Sequence, residues 1–100
     1  MNTYFRSSFD RDLKKIIDPV LREEVKQAIL SVENAQAKKD IPELKKYKGN
    51  KKGIFYRIKV GSYRIGVTIE NNVVEFVAFK PRKDFNKSFP HNYRNIFGKN

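Results

Sequence analysis

The amino-acid sequence predicts an α+β fold: two N-terminal helices packed on a small antiparallel β-sheet, in the order β-α-α-β-β-β with a C-terminal tail. Three observations predict it. Residues 55–68, FYRIKVGSYRIGVT, alternate with period two about a Gly61-Ser62 pair, the pattern of a hairpin with one buried face. Apolar residues from Phe9 to Val32 recur at three- and four-residue intervals, the spacing of a helix with one apolar stripe. A further run, Val73 to Lys80 (VVEFVAFK), follows Asn71-Asn72, and asparagine tolerates the positive φ of a tight turn.

Taken in order, Thr3-Tyr4-Phe5-Arg6 is a β-favouring run and the first strand. Ser7 or Ser8 can cap the helix that follows, and Asp10 and Asp12 in its first turn suit the positive end of the helix dipole. Phe9, Leu13, Ile16 and Ile17 supply its buried stripe. Asp18-Pro19 breaks that helix and starts another, with Asp18 as cap and Pro19 at the first helical position. Leu21, Val25, Ala28, Ile29 and Val32 form the stripe of the second helix, which is expected to end near Ala37. Residues 41–52, IPELKKYKGNKK, read as a loop with Pro42 and Gly49 as breakers and Leu44 and Tyr47 as anchors.

Pairing across Gly61-Ser62 sets Val60 opposite Tyr63 and Lys59 opposite Arg64, with Arg57 on the same face. Pairing across Asn71-Asn72 sets Phe76 opposite Val67 and Ala78 opposite Ile65 on the core face. The same register leaves Val77 near Gly66 and Phe79 near Arg64 on the other face. Pro81 ends the strand, Arg82 follows it, and Phe85, Phe89, Tyr93, Ile96 and Phe97 are expected to pin a short helix or extended tail to the sheet.

At 100 residues the chain suits one domain, 1–100, with a single modest core. Its 39% hydrophobic residues argue for a folded globule despite 33% charged residues. Twenty-two Lys and Arg against eleven Asp and Glu give a net charge of +11, which attracts nucleic acid or an acidic protein. No basic amphipathic helix with a large apolar face stands out, and no run has the length of a signal peptide or a membrane span, so no membrane role is expected. The absence of cysteine excludes disulfides and zinc-thiolate sites and suits a reducing cytoplasm. A lone histidine, His91, and scattered carboxylates lead to the expectation of no metal and no cofactor.

The basic positions carry the functional signal. Like charges directly opposite each other destabilise a sheet. Lys59 opposite Arg64, with Arg57 beside them, therefore points to an anion bound on that face, and a phosphate backbone is the commonest. The lysines of the preceding loop, Lys45, Lys46, Lys48, Lys51 and Lys52, lead straight into this hairpin and extend the phosphate contact. Phe79 on the cationic side offers a stacking surface for a base. The competing readings are a solvated basic face, coverage of Phe79 by the C-terminal segment, and a carboxylate partner such as Glu75 for Arg64.

With the helical hairpin, the LKKYKGNKKGIFYRIKVGSYRIGVTI block, the VVEFVAFK strand and PRKDFNKSFP in that order, the chain resembles the RelE/ParE superfamily of toxins from bacterial type II toxin–antitoxin modules. The resemblance covers nearly the whole chain and implies one of two activities. RelE-like members cut messenger RNA in the ribosomal decoding site without metal; ParE-like members share the fold, lack the nuclease residues and poison DNA gyrase. In both branches an antitoxin wraps the helices or the sheet.

The RelE-like branch implies a cytoplasmic, ribosome-dependent mRNA endonuclease (mRNA interferase) that inhibits translation and uses the substrate's 2′-hydroxyl as nucleophile. Arg57 and Lys59 match the basic pair of its strand, Arg64 in SYRIG the arginine of the partner strand, and Arg82 the arginine after the last strand. Arg64 and Arg82 would clamp the phosphate, since a planar fork binds two oxygens at once. Lys59, set among cations that favour its neutral form, is the candidate base. Relatives usually place a tyrosine, or a histidine-tyrosine pair, shortly after the last arginine. Here that position is Asn86, which neither stacks nor acts as an acid, and His91 and Tyr93 are the possible substitutes. Asn86 fits the two alternatives, a ParE-like toxin binding gyrase or a degenerate RNA- and antitoxin-binding module. The implied partners are an acidic cognate antitoxin, the ribosome and mRNA, and operator DNA only through the antitoxin.

Overall fold

The computed structural model of the protein describes residues 1–47 and 53–90. Strand β1 (Asn2–Phe5) leads into helix α1 (Ser7–Lys14) and then α2 (Pro19–Asn34). Strand β2 (Leu44–Lys46) follows, then the meander β3 (Phe55–Val60), β4 (Tyr63–Glu70) and β5 (Val73–Pro81), and helix α3 (Arg82–Ser88). The five strands form one sheet in the order β1-β5-β4-β3-β2. The meander pairs antiparallel, but β1 runs parallel to β5. The sheet is therefore mixed rather than antiparallel, because the two-helix crossover carries the chain from one sheet edge to the other. Leu44–Lys46, expected within a loop, pairs with β3; three residues are too few to show a periodicity of two.

Local signals explain the helix ends. The Asp18 carboxylate accepts from the Val20 N–H at 3.0 Å and Pro19 opens α2, as a capped helix with proline at its first position requires. Helix α1 stops at Lys14, one turn short of the expected stripe. Its terminal carbonyls are satisfied by Arg22, whose Nη1 donates to Leu13 O at 3.0 Å and Ile16 O at 2.8 Å. Ile17 consequently lies in the turn and is 91% exposed rather than in the core. Neither serine caps α1: the cap position is Arg6, whose side chain makes no capping bond.

The hairpin register is as the alternation requires, with Val60 opposite Tyr63 and Lys59 opposite Arg64. Gly61 takes φ +57° in the first turn, and Asn71 and Asn72 take φ 52° and 65° in the second, the paired left-handed conformation of a two-residue hairpin. The β4–β5 register departs from simple alternation. Gly66 pairs with Ala78 but Val67 with Phe76, so Val77 is an extra residue in β5, a β-bulge. Val77 and Ala78 both fall on the face away from α1 and α2, and Phe79 returns to the helix-covered core.

The bulge lies where β5 loses its neighbour. β1 pairs only with Val73 to Phe76, and beyond that point α1 takes over the edge. The Arg6 N–H donates to Phe76 O at 2.9 Å, and the Ser8 hydroxyl donates to the Val77 carbonyl. The Asp12 carboxylate accepts from the Phe79 N–H at 3.0 Å and from Lys80 Nζ at 3.1 Å. Ser8 and Asp12, four residues apart on one helix face, thus satisfy a strand edge that would otherwise bury unpaired backbone groups. Asp12 is 7% exposed; it tethers the sheet rather than serving the helix dipole.

Two apolar clusters result. The larger lies between the sheet and α1 and α2 and includes Phe9, Val25, Val32, Ile58, Ile65, Val67, Phe76 and Phe79. The smaller lies on the opposite face under α3 and holds Phe55, Val77, Ala78, Phe85 and Phe89. Close approach of α3 depends on Gly66. A Cβ there would stand 2.7 Å from a Phe89 ring carbon and 2.9 Å from one of Phe85.

Two stability outcomes follow from these contacts. Gly66→Ala overpacks the α3 face and lowers unfolding free energy by about 1–3 kcal/mol in urea denaturation. Asp12→Ala leaves the Phe79 N–H buried without an acceptor and costs about 1–3 kcal/mol; Asp12→Asn, which keeps an acceptor oxygen, costs less in the same assay.

Candidate polyanion-binding site on the basic sheet face

Arg57 and Lys59 of β3 and Arg64 of β4 alternate with the apolar residues of the larger core, and so stand on the α3 side of the sheet beside Phe55 and Gly66. Arg64 heads a row of cations across three strands, since its pairing partners are Lys59 in β3 and Lys80 in β5. A second row sets Lys45 of β2 opposite Arg57. Lys46 pairs with Tyr56 and alternates to the other side of its strand. Neighbouring strands are about 4.8 Å apart, so these positive charges are crowded.

The backbone holds Arg82 at the same end of the sheet. Its N–H donates to Ser62 O in the hairpin turn at 2.9 Å, and it is the first residue of α3. Arg64 is partly exposed, and its Nη1 donates to Gly61 O at 3.1 Å and Tyr63 O at 2.9 Å. Partial burial, then the fields of Arg82 and Arg57, push its pKa below the ordinary arginine value, while Glu43 pulls the other way. Arginine remains protonated at neutral pH all the same. A base whose charged form is disfavoured on folding subtracts stability wherever it is charged in both states; a bound anion recovers that loss.

Glu75, the alternative partner for Arg64, is engaged elsewhere. It stands opposite Thr68, accepts from the Thr68 hydroxyl at 3.4 Å and pairs with Arg6 at 3.4 Å. Among the described residues the salt bridges are Arg6–Glu75 and Lys80–Asp12, and neither involves Arg57, Lys59, Arg64 or Arg82. The carboxylate whose field reaches the cluster is Glu43. It takes φ 61°, a conformation that non-glycine residues seldom adopt, and its carbonyl accepts from the Lys59 N–H at 3.3 Å.

Phe79 is not on this face. The bulge at Val77 turns it into the larger core, 2% exposed and stacked on Tyr63 at 4.8 Å, where no base can reach it. Lys80 takes the position opposite Arg64 instead. Sequence alternation missed Lys80 because a single inserted residue inverts parity, and nothing in VVEFVAFK marks the bulge. Lys45 is exposed, as is Asn86 on α3. Lys48, Lys51, Lys52, His91 and Tyr93 lie outside the described residues. Among the described residues no three His, Cys, Asp or Glu side chains gather to hold a metal ion, and no helix is long and apolar enough to cross a membrane.

Two helices on one face of a five-stranded mixed sheet, with an arginine- and lysine-lined opposite face flanked by a third helix, define a small basic α+β domain suited to a polyanion. The chain belongs to the RelE/ParE-like toxins of type II toxin–antitoxin systems: the family described as "ParE toxin of type II toxin-antitoxin system, parDE" matches residues 4–84. It is similar to Toxin RelE3 of Methanocaldococcus jannaschii, with 32% identity over 91 residues, 90% of this chain and 100% of that protein. Its fold matches a chain of the RelB-RelE antitoxin-toxin complex from Methanococcus jannaschii with a TM-score of 0.72 and 30% identity, covering 87% of this chain and 99% of that one. It also matches the YoeB dimer from Staphylococcus aureus with a TM-score of 0.65 at 19% identity, over 80% and 94% of the two chains; that likeness shows the fold alone.

Charge crowding gives this face a measurable signature. Lys59→Gln removes the cation opposite Arg64 and raises Tm at low salt, a gain that fades at high salt. The same substitution weakens binding to a polyanion and lowers the slope of log affinity against log salt by about one.

Proposed function

We propose that this toxin is a metal-independent, ribosome-dependent mRNA endonuclease that inhibits translation, with Arg57, Lys59, Arg64 and Arg82 as its working residues. One observation carries the reading: Arg64 lies within the fields of Arg57 and Arg82 and directly opposite Lys59, with none of the four in a salt bridge among the described residues. Such crowding opposes folding unless an anion occupies the face.

The chemistry follows from the substrate. The 2′-hydroxyl attacks the adjacent phosphorus, the P–O5′ bond breaks, and a 2′,3′-cyclic phosphate forms. Arg64, anchored by the hairpin carbonyls, and Arg82 at the start of α3 hold the phosphoryl oxygens while charge grows on them. Lys59 accepts the 2′-hydroxyl proton. The leaving oxygen takes its proton from His91 or Tyr93. Lys45, and with it Lys48, Lys51 and Lys52, would contact the RNA backbone beyond the scissile phosphate, while Lys46, on the other side of its strand, would not. The ribosome supplies the remaining alignment, and a ribosomal target implies a cytoplasmic site of action.

The regulatory partner is an acidic antitoxin whose carboxylates cover the basic face. A similar chain occurs in a complex named for an antitoxin and a toxin, and a net charge of +11 calls for an acidic partner. Operator DNA would be reached through that antitoxin. Exposed Asn86 in place of the usual aromatic acid favours a second reading, a non-nucleolytic toxin that binds gyrase.

Induction in a bacterial cell separates the two. With primer extension and a DNA-damage reporter followed together, the nuclease gives discrete cuts within translated codons. Those cuts fall about 10²–10³-fold for Arg64→Ala and Arg82→Ala and are lost for Lys59→Ala. Intact transcripts with an induced damage response would establish the gyrase reading instead.

A further inference from the structure

Beside the basic face, a cleft of about 590 Å³ turns round the carboxyl end of β5, between α1 and α3. Tyr63 and Pro81, paired across β4 and β5, form part of its wall. Each immediately precedes one of the two arginines assigned to the phosphate, Arg64 and Arg82. Tyr63 faces the helix-covered side and Arg64 the basic side, so a group in the cleft meets the phosphate clamp round the end of β5, past Lys80, Pro81 and Asp84.

The lining suits a base rather than a second phosphate. Lys15 and Lys80 are balanced by Asp12 and Asp84, and the Lys80 ammonium is already held by Asp12 at 3.1 Å. The wall is aromatic, with Tyr63 half-buried and held rigid by stacking on Phe79 at 4.8 Å and 21°. Asp84, exposed on α3, offers an acceptor for an amino group. Single-stranded RNA is read in this way, by stacking an unpaired base on an aromatic ring and bonding its edge. A cleft on the other side, between α2 and the end of β3, is lined by Glu23, Glu24, Gln27 and Glu43 and offers no aromatic side chain to a base.

We propose that the cleft beside β5 holds an unstacked nucleobase of the bound RNA, adjacent to the phosphate on Arg64 and Arg82, with Tyr63 as its stacking wall and Asp84 accepting from its amino group. The inference rests on the RNA reading above and assigns Tyr63, Lys80 and Asp84 to the site.

Methyl-resolved NMR of the full chain tests it, since Ile16 lines the cleft and lies away from the basic face. The ligand is a short oligodeoxycytidine, which lacks the 2′-hydroxyl and is not cut, compared with the same strand carrying one abasic position. The intact strand shifts the Ile16 methyl signal together with the Arg57 and Arg64 amides. The abasic strand binds about tenfold more weakly and leaves Ile16 in place. Asp84→Asn, an exposed change that leaves folding intact, removes an about tenfold preference for cytidine over thymidine. Shifts confined to the Arg57 and Arg64 amides would overturn the cleft assignment and leave the RNA reading standing. No shifts at all would overturn the cleft assignment, and the transcript-cleavage assay above then decides the RNA reading by itself. An Ile16 response to a nucleoside monophosphate alone, without the basic-face amides, would make the cleft a free-nucleotide site and overturn its link to RNA.

Discussion

Among the described residues strand β5 has no strand neighbour on its outer side beyond Phe76, and its polar groups there are met by Ser8 and Asp12 of α1. Most of the molecule's organisation depends on that contact. An unpaired edge so close to the core would either bury unsatisfied groups or admit another strand. By accepting from the Phe79 N–H while Ser8 occupies the Val77 carbonyl, α1 accommodates the bulge instead of erasing it. The bulge then decides which residues meet on each face. Phe79 completes the core against Phe9 and Tyr63, Lys80 comes opposite Arg64, and β5 ends where Arg82 can bond the hairpin turn.

The other organising force is repulsion. A row of Lys59, Arg64 and Lys80 across adjacent strands opposes folding, and the protein manages each charge differently. Lys80 is neutralised by Asp12, and Arg64 is turned toward the carbonyls of Gly61 and Tyr63. Lys59 is left in solvent. The smaller apolar cluster under α3 holds the far half of the same face, with Gly66 as the point of closest approach. Stability is thus concentrated on one half of that face and given up on the other, as expected where a surface is kept for a charged ligand.

Much of this was legible in the sequence, and the exceptions share causes. Alternation in 55–68 fixed the hairpin register, and Asp18-Pro19 marked the start of α2, because both signals are local. Arg57, Lys59 and Arg64 were legible as one face for the same reason. The bulge was not, since one inserted residue leaves no compositional trace and reverses every later assignment; Phe79 and Lys80 exchanged faces on that account. Asp12 read as a dipole residue because its partners, Phe79 and Lys80, are 67 and 68 positions away. The parallel placement of β1 depends on a crossover, and β2 is too short to carry a period. Ile17 followed helical spacing that Arg22 cuts short by capping α1 from the next helix.

The central claim is that the bulged β4–β5 register assembles the cationic face. Cross-strand nuclear Overhauser contacts between backbone protons of β4 and β5 in the free protein test it most directly. The account predicts contacts pairing Val67 with Phe76 and Ile65 with Phe79, with Val77 passed over. Contacts pairing Ile65 with Ala78 and Arg64 with Phe79 would contradict it, returning Phe79 to the basic face and removing Lys80 from the row.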